Sequence, residues 1–162
     1  MIHKIFKISH TKNKKENKIM RLWHKELIKV LPRQQLISQW RELCCIAKNL
    51  NNKGTPNHIL VNKILDYNKI HLICYTKLIL QEMKNRNYKI SHNSFNNYLI
   101  NLNLRKEEFY LINLGFDDIF KDWHNNRYLQ QCFYNLEEKY DCNGISKEEF
   151  EKIENLYKNK PT

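Results

Sequence analysis

Arg41 and Glu42 stand side by side within Leu31-Pro32-Arg33-Gln34-Gln35-Leu36-Ile37-Ser38-Gln39-Trp40-Arg41-Glu42-Leu43. A carboxylate can give or take a proton, and a planar guanidinium can grip phosphate. Leu36, Ile37, Trp40, Leu43, Cys44 and Ala47 fall at helical spacing and form one apolar stripe, with Arg41 and Glu42 on its polar flank. Taken alone, the pair reads as two solvated charges on an amphipathic helix, and Trp40 as core. Asp117, Asp118, Asp122 and His124 are of metal-ligating types. Their spacing matches no two-His helical site, and a loop leading to an N-cap near Asn125 accounts for them. His58 and His71, on helices of mostly apolar character, read as structural histidines. The five cysteines (Cys44, Cys45, Cys74, Cys132, Cys142) are odd in number and lack CxxC spacing, which favours reduced, packed thiols over a disulfide framework or a zinc ribbon. With no GxGxxG or P-loop pattern, neither a metal nor an organic cofactor is expected.

The elements that position these residues are expected to be helices. Three Gly, three Pro and only two Val (Val30, Val61) leave little punctuation for many short strands. One helix follows Pro32 and ends at the linker Asn51-Asn52-Lys53-Gly54-Thr55-Pro56. Others are expected over Asn57–Tyr67, Lys69–Arg86 and Asn126–Tyr140, with a last one from a Ser146–Glu149 capping box to about Lys158. Polar residues at Ser91–Asn97 break the pattern, and Phe95–Phe120 is expected to hold one or two short helices. The fold class is thus all-α, a compact single-domain helical bundle over residues 20–162. Residues 1–19 read as a flexible basic arm, or as sequence upstream of the true start at Met20. They carry +5 of the net +11, leaving +6 for the rest.

A chain of 162 residues suits one domain with a real core. Hydrophobic residues at 41% argue against disorder throughout. The positive balance favours a polyanionic partner, nucleic acid or an anionic membrane surface. No apolar run approaches the ~18–20 residues of a membrane span, and no secretory signal opens the chain. A cytoplasmic, nucleoid-associated monomer is the expectation.

Gln35-Leu36 and Trp40-Arg41-Glu42-Leu43, following a segment that opens Met20-Arg21-Leu22-Trp23, resemble the pyrimidine-dimer DNA glycosylase family. Gly54-Thr55-Pro56-Asn57-His58-Ile59-Leu60-Val61-Asn62-Lys63, Trp123-His124-Asn125-Asn126-Arg127-Tyr128-Leu129 and Tyr134–Cys142 look like its bacterial branch. The resemblance implies a DNA-repair glycosylase with apurinic-site lyase activity, acting on double-stranded DNA with damaged bases. The family's nucleophile is the α-amine of the first residue. Its pKa near 7.7–8.0 leaves roughly a tenth of it unprotonated at pH 7, far more than for a Lys side chain. It attacks the sugar C1′ and forms a Schiff base, while a carboxylate handles protons and stabilises charge on the sugar.

By this resemblance Glu42 is the catalytic carboxylate and Arg41 contacts the DNA backbone. The ungapped match puts the amine at Arg21. A chain initiated at Met20 keeps its Met, because Arg is too large to favour removal, and the amine then belongs to Met20. The family's second Arg falls at Cys45. Trp23 and His24 are candidates for stacking against an extruded base, and Lys25 and Arg33, with Lys29, Lys48 and Lys53, for a phosphate-binding face. Two non-enzymatic readings compete: a nucleic-acid-binding module on the same scaffold, and an interaction protein descended from the family that has lost its amine.

Overall fold

Proline has no N–H to donate and a fixed φ, so it serves well just before a helix. In the computed structural model, which describes residues 20–161, Pro32 precedes α1, Arg33–Lys53. The helix turns its Leu36, Trp40, Leu43, Ile46 and Ala47 face inward. Gly54 stops it at φ 67, the left-handed conformation glycine adopts without a Cβ penalty, and its N–H returns to Leu50 O. The expected linker therefore begins three residues later than the sequence suggests.

Asn68 caps α2, Lys69–Asn85, by accepting the Ile70 N–H. Buried residues wrap most of this helix, including Leu72, Ile73, Tyr75, Thr76, Ile79 and Met83, so α2 is the central column. Ser91 caps α3, His92–Asn101. The polar run at 91–97 is thus a helix start, not a break: Ser91 Oγ accepts the Ser94 N–H, and the polar residues face water. A short α4, Lys106–Leu111, and a 3-10 turn, Phe116–Asp118, follow. Asn125 caps α5, Asn126–Asp141, and Ser146 caps α6, Lys147–Lys158, by accepting the Glu149 N–H.

Among the described residues there are six α-helices, three 3-10 turns and no strand, as expected for an all-α chain. The helix anticipated over 57–67 is not formed. Asn57 takes a left-handed φ of 58, and only a 3-10 turn, Asn62–Asp66, follows. Asn tolerates that conformation where most residues do not. The arm expected at 1–19 lies outside the described residues.

α1 packs against α2 and α3, and α5 against α6. A 3-10 turn at Lys25–Val30 sits between α2 and α6. Among the described residues the core runs from Leu22 to Ile153. Trp40 belongs to it, tilted against Tyr98 at 5.5 Å between centroids. No helix among the described residues is long and apolar enough to cross a membrane.

Candidate active site

The segment 20–25 has little regular structure of its own and is held by side chains from across the molecule. Met20 N lies 3.3 Å from His58 Nε2. Arg21 O accepts from Gln39 Nε2 at 2.9 Å, and Leu22 O from the Tyr128 hydroxyl. Trp23 N–H donates to Gln39 Oε1 at 2.8 Å, and the Tyr75 hydroxyl reaches both Trp23 O, at 2.6 Å, and Gln39 Oε1, at 2.9 Å. Lys25 N–H donates to His124 Nδ1 at 3.0 Å. Backbone groups buried without partners cost on the order of 1–3 kcal/mol each, so this strap is fixed by satisfaction of its own amides and carbonyls.

Gln39 is the hub. It is fully buried on the inner face of α1, one turn before Glu42, and its Nε2 also donates to Glu42 Oε2 at 3.1 Å. One amide nitrogen thus bridges the Glu42 carboxylate and the Arg21 carbonyl, bringing the two parts of the predicted catalytic set to one place. Burial raises the Tyr75 and Tyr128 hydroxyls well above their ordinary range, so both remain donors throughout the working pH range.

An open cleft of about 460 Å3 adjoins the start of the strap, lined by Arg21, Leu60, Tyr128, Gln131, Tyr134, Asn135 and Glu138. Tyr134 is 53% exposed there and offers an aromatic face. The Arg21 guanidinium lies 5.4 Å from the Trp23 ring centroid. Arg41 is exposed on the solvent side of α1, with Cys45 and Lys48 one and two turns on. A second cleft, of about 390 Å3, opens between α2, α3 and α4 and contains none of the candidate residues.

Other candidates stand elsewhere. Trp23 and His24 are buried in the core, 6% and 2% exposed, which withholds their faces from a stacked base. Lys25 is also buried; its ammonium donates to Asp117 O and Ile119 O at 2.9 and 2.8 Å, and burial lowers its pKa. Those carbonyls occupy the charge that a phosphate would take. Arg33 is exposed at the first residue of α1, about two turns before Arg41, its guanidinium 4.6 Å from the Tyr88 ring centroid. Asp117, Asp118, Asp122 and His124 do not converge, and no group of three or more potential ligands is placed to hold a metal ion among the described residues. His71 Nδ1 accepts the Phe120 N–H, as fits a structural histidine.

Gln39 joins the strap to Glu42 near the middle of α1, with Arg41 exposed beside them, and the comparison with known families falls on this stretch. Residues 20–96 match the family model of pyrimidine dimer DNA glycosylase. The family segment thus begins at the first described residue, carries Met20, Arg21, Gln39, Arg41, Glu42 and His58, and ends inside α3. The resemblance carried by the sequence is borne out over this stretch. No curated protein and no solved structure matches the chain.

Sequence reasoning missed Gln39, Tyr75, Tyr128 and His58. Gln39 left one sign, an amide among the residues that face inward on an amphipathic helix. Tyr75 and Tyr128 gave none, because their partners lie 52 and 106 residues away along the chain.

Proposed function

We propose that the chain is a DNA glycosylase with apurinic-site lyase activity, acting on pyrimidine dimers or related lesions in double-stranded DNA. The nucleophile is the nitrogen of residue 20, as a free amine, and Glu42 is the catalytic carboxylate. The observation that carries this reading is the clamped strap: five side chains fix residues 20–25, and Gln39 ties the strap to Glu42. An ordinary chain terminus is loose and costs entropy to order; one held in advance approaches the effective concentrations that make an attacking group useful.

In this mechanism the amine lone pair attacks C1′ and the C1′–N bond to the base breaks, its electron pair leaving with the base. Loss of a proton from the attacking nitrogen and opening of the sugar ring give the iminium. β-Elimination from the iminium then breaks the strand. Glu42 accepts and returns protons and offsets positive charge on the sugar. Arg41 grips the backbone phosphate, and Arg21 and Tyr134 face the cleft where an extruded nucleotide would sit. An amide nitrogen is not a nucleophile, so activity requires that the bond before Met20 be absent.

Borohydride trapping on abasic-site DNA tests this. A variant of the full chain, given a protease site that ends immediately before Met20, is assayed before and after cutting. A covalent adduct is expected only after cutting, with the linkage at Met20. An adduct in the uncut chain would move the nucleophile to another amine. No adduct in either state would favour a binding module. In the cut chain, Glu42→Gln is expected to lower strand cleavage at least ~100-fold while DNA binding stays within about threefold. Retained cleavage would remove Glu42 from the mechanism.

A further inference from the structure

Two consecutive branched apolar residues, Ile59 and Leu60, stand 85% and 41% exposed on the loop that follows α1. Single apolar residues are ordinary on a surface; this pair is set apart by how it is held. Both feet of the loop are anchored, since Pro56 and Val61 are buried. Asn49 of α1 donates to Pro56 O at 3.1 Å, and the His58 N–H donates to Asn62 Oδ1 at 3.1 Å. The Val61 and Asn62 N–H groups return to His58 O at 3.0 and 2.8 Å. Burying the pair against the protein itself would break those bonds, so the loop keeps it in water.

The tip stands beside the candidate site. Leu60 lines the same cleft as Arg21 and Tyr134, and His58, on the same loop, lies 3.3 Å from Met20 N. Its segment is basic: residues 48–65 hold the exposed Lys48, Lys53 and Lys63, and no Asp or Glu. An apolar point on a basic segment matches a duplex, whose phosphates lie outside and whose base faces lie within. An aliphatic side chain is about as thick as the ~3.4 Å rise of one base step. We propose that Ile59 and Leu60 are a wedge: they enter the base stack of double-stranded DNA at the damaged step and occupy the space that an extruded nucleotide vacates. Ile59, the more exposed, leads, and Leu60 borders the cleft into which the nucleotide turns. A lipid surface would also accept an apolar tip and ammonium groups, but a bilayer would close over the cleft and leave it empty, whereas an extruded nucleotide fills it. The inference rests on the glycosylase reading for its partner, DNA, but not for the amine chemistry.

A duplex with a tetrahydrofuran abasic analogue beside a 2-aminopurine tests it. The analogue offers no aldehyde, so insertion is read without chemistry. On saturation with the cut chain, 2-aminopurine fluorescence is expected to rise at least ~threefold as the base unstacks. Ile59→Ser alone is expected to lower that rise, and Ile59→Ser with Leu60→Ser to remove most of it. Affinity for undamaged duplex stays within about threefold, because phosphate contacts carry it. Ile59→Leu with Leu60→Ile, still apolar, is expected to keep the rise. No rise in the unsubstituted protein, or a full rise in the Ser variants at unchanged melting temperature, would overturn the wedge. So would sedimentation with phosphatidylglycerol vesicles that depends on the tip while the duplex signal does not. A borohydride adduct without a fluorescence rise would leave the glycosylase reading standing and sink the wedge; a rise that depends on the tip, without an adduct, would do the reverse.

Discussion

Gln39 makes four contacts with one amide, and every atom it satisfies lies on or beside the strap. Replacing it with Leu keeps the volume but leaves the buried Trp23 N–H and the half-buried Arg21 O without their Gln39 partner. At about 1–3 kcal/mol for each unpaired group, Gln39→Leu is expected to cost roughly 3 kcal/mol, read as a shift in the urea midpoint at constant slope. A loss under about 1 kcal/mol would mean that water takes its place and that the strap is not anchored there. The sequence showed Arg41 and Glu42, because a charged pair beside an apolar stripe is a local pattern. It did not show which polar residue serves them, since a buried amide is recognised by partners rather than spacing. Trp23, His24 and Lys25 erred for the same reason: nearness to Met20 in sequence suggested exposure, whereas five elements fold over them.

Helices were legible where they carry their own signals. Pro32, Gly54, Asn125 and Ser146 bound their elements because caps act within a turn or two. The stretch 57–67 was not, because an apolar run there suits a helix until Asn57 turns left-handed and the loop closes on Asn62. The junction between the strap and the start of α5 depends on charge state. His24 Nδ1 accepts the Glu26 N–H and His124 Nδ1 accepts the Lys25 N–H, their rings 5.0 Å apart. Burial lowers the His24 pKa to about 4, with Lys160 and Lys25 acting in the same direction, and that of His124 to about 2, with His24 and Lys25 adding to it. Both folded values lie below the ordinary 6.5, so the unfolded chain binds more protons. Their stabilisation is present above pH 6.5 and is lost as pH falls toward 4. For His24 alone the loss by pH 4 is about 3 kcal/mol. The melting temperature is expected to drop steadily between pH 6.5 and 4, and His24→Phe to flatten that slope. An unchanged slope in the variant would place the acid sensitivity elsewhere.

Across the whole molecule, the candidate residues gather beside the middle of α1, but the parts that hold them come from the full length of the described chain. The matched family segment ends at residue 96, while Tyr128 and His124, which hold Leu22 O and the Lys25 N–H, lie well beyond it. The Lys25 N–H is therefore expected to exchange slowly in the full chain and fast in residues 20–96 made alone, which lack His124; equal protection in the fragment would refute a shared clamp. The same fact sets an order of events on the ribosome. Residues 20–25 emerge before everything that holds them, and the last fastenings, His124 and Tyr128, follow 99 and 106 residues behind Lys25 and Leu22, so the strap waits only partly fastened through most of its own synthesis.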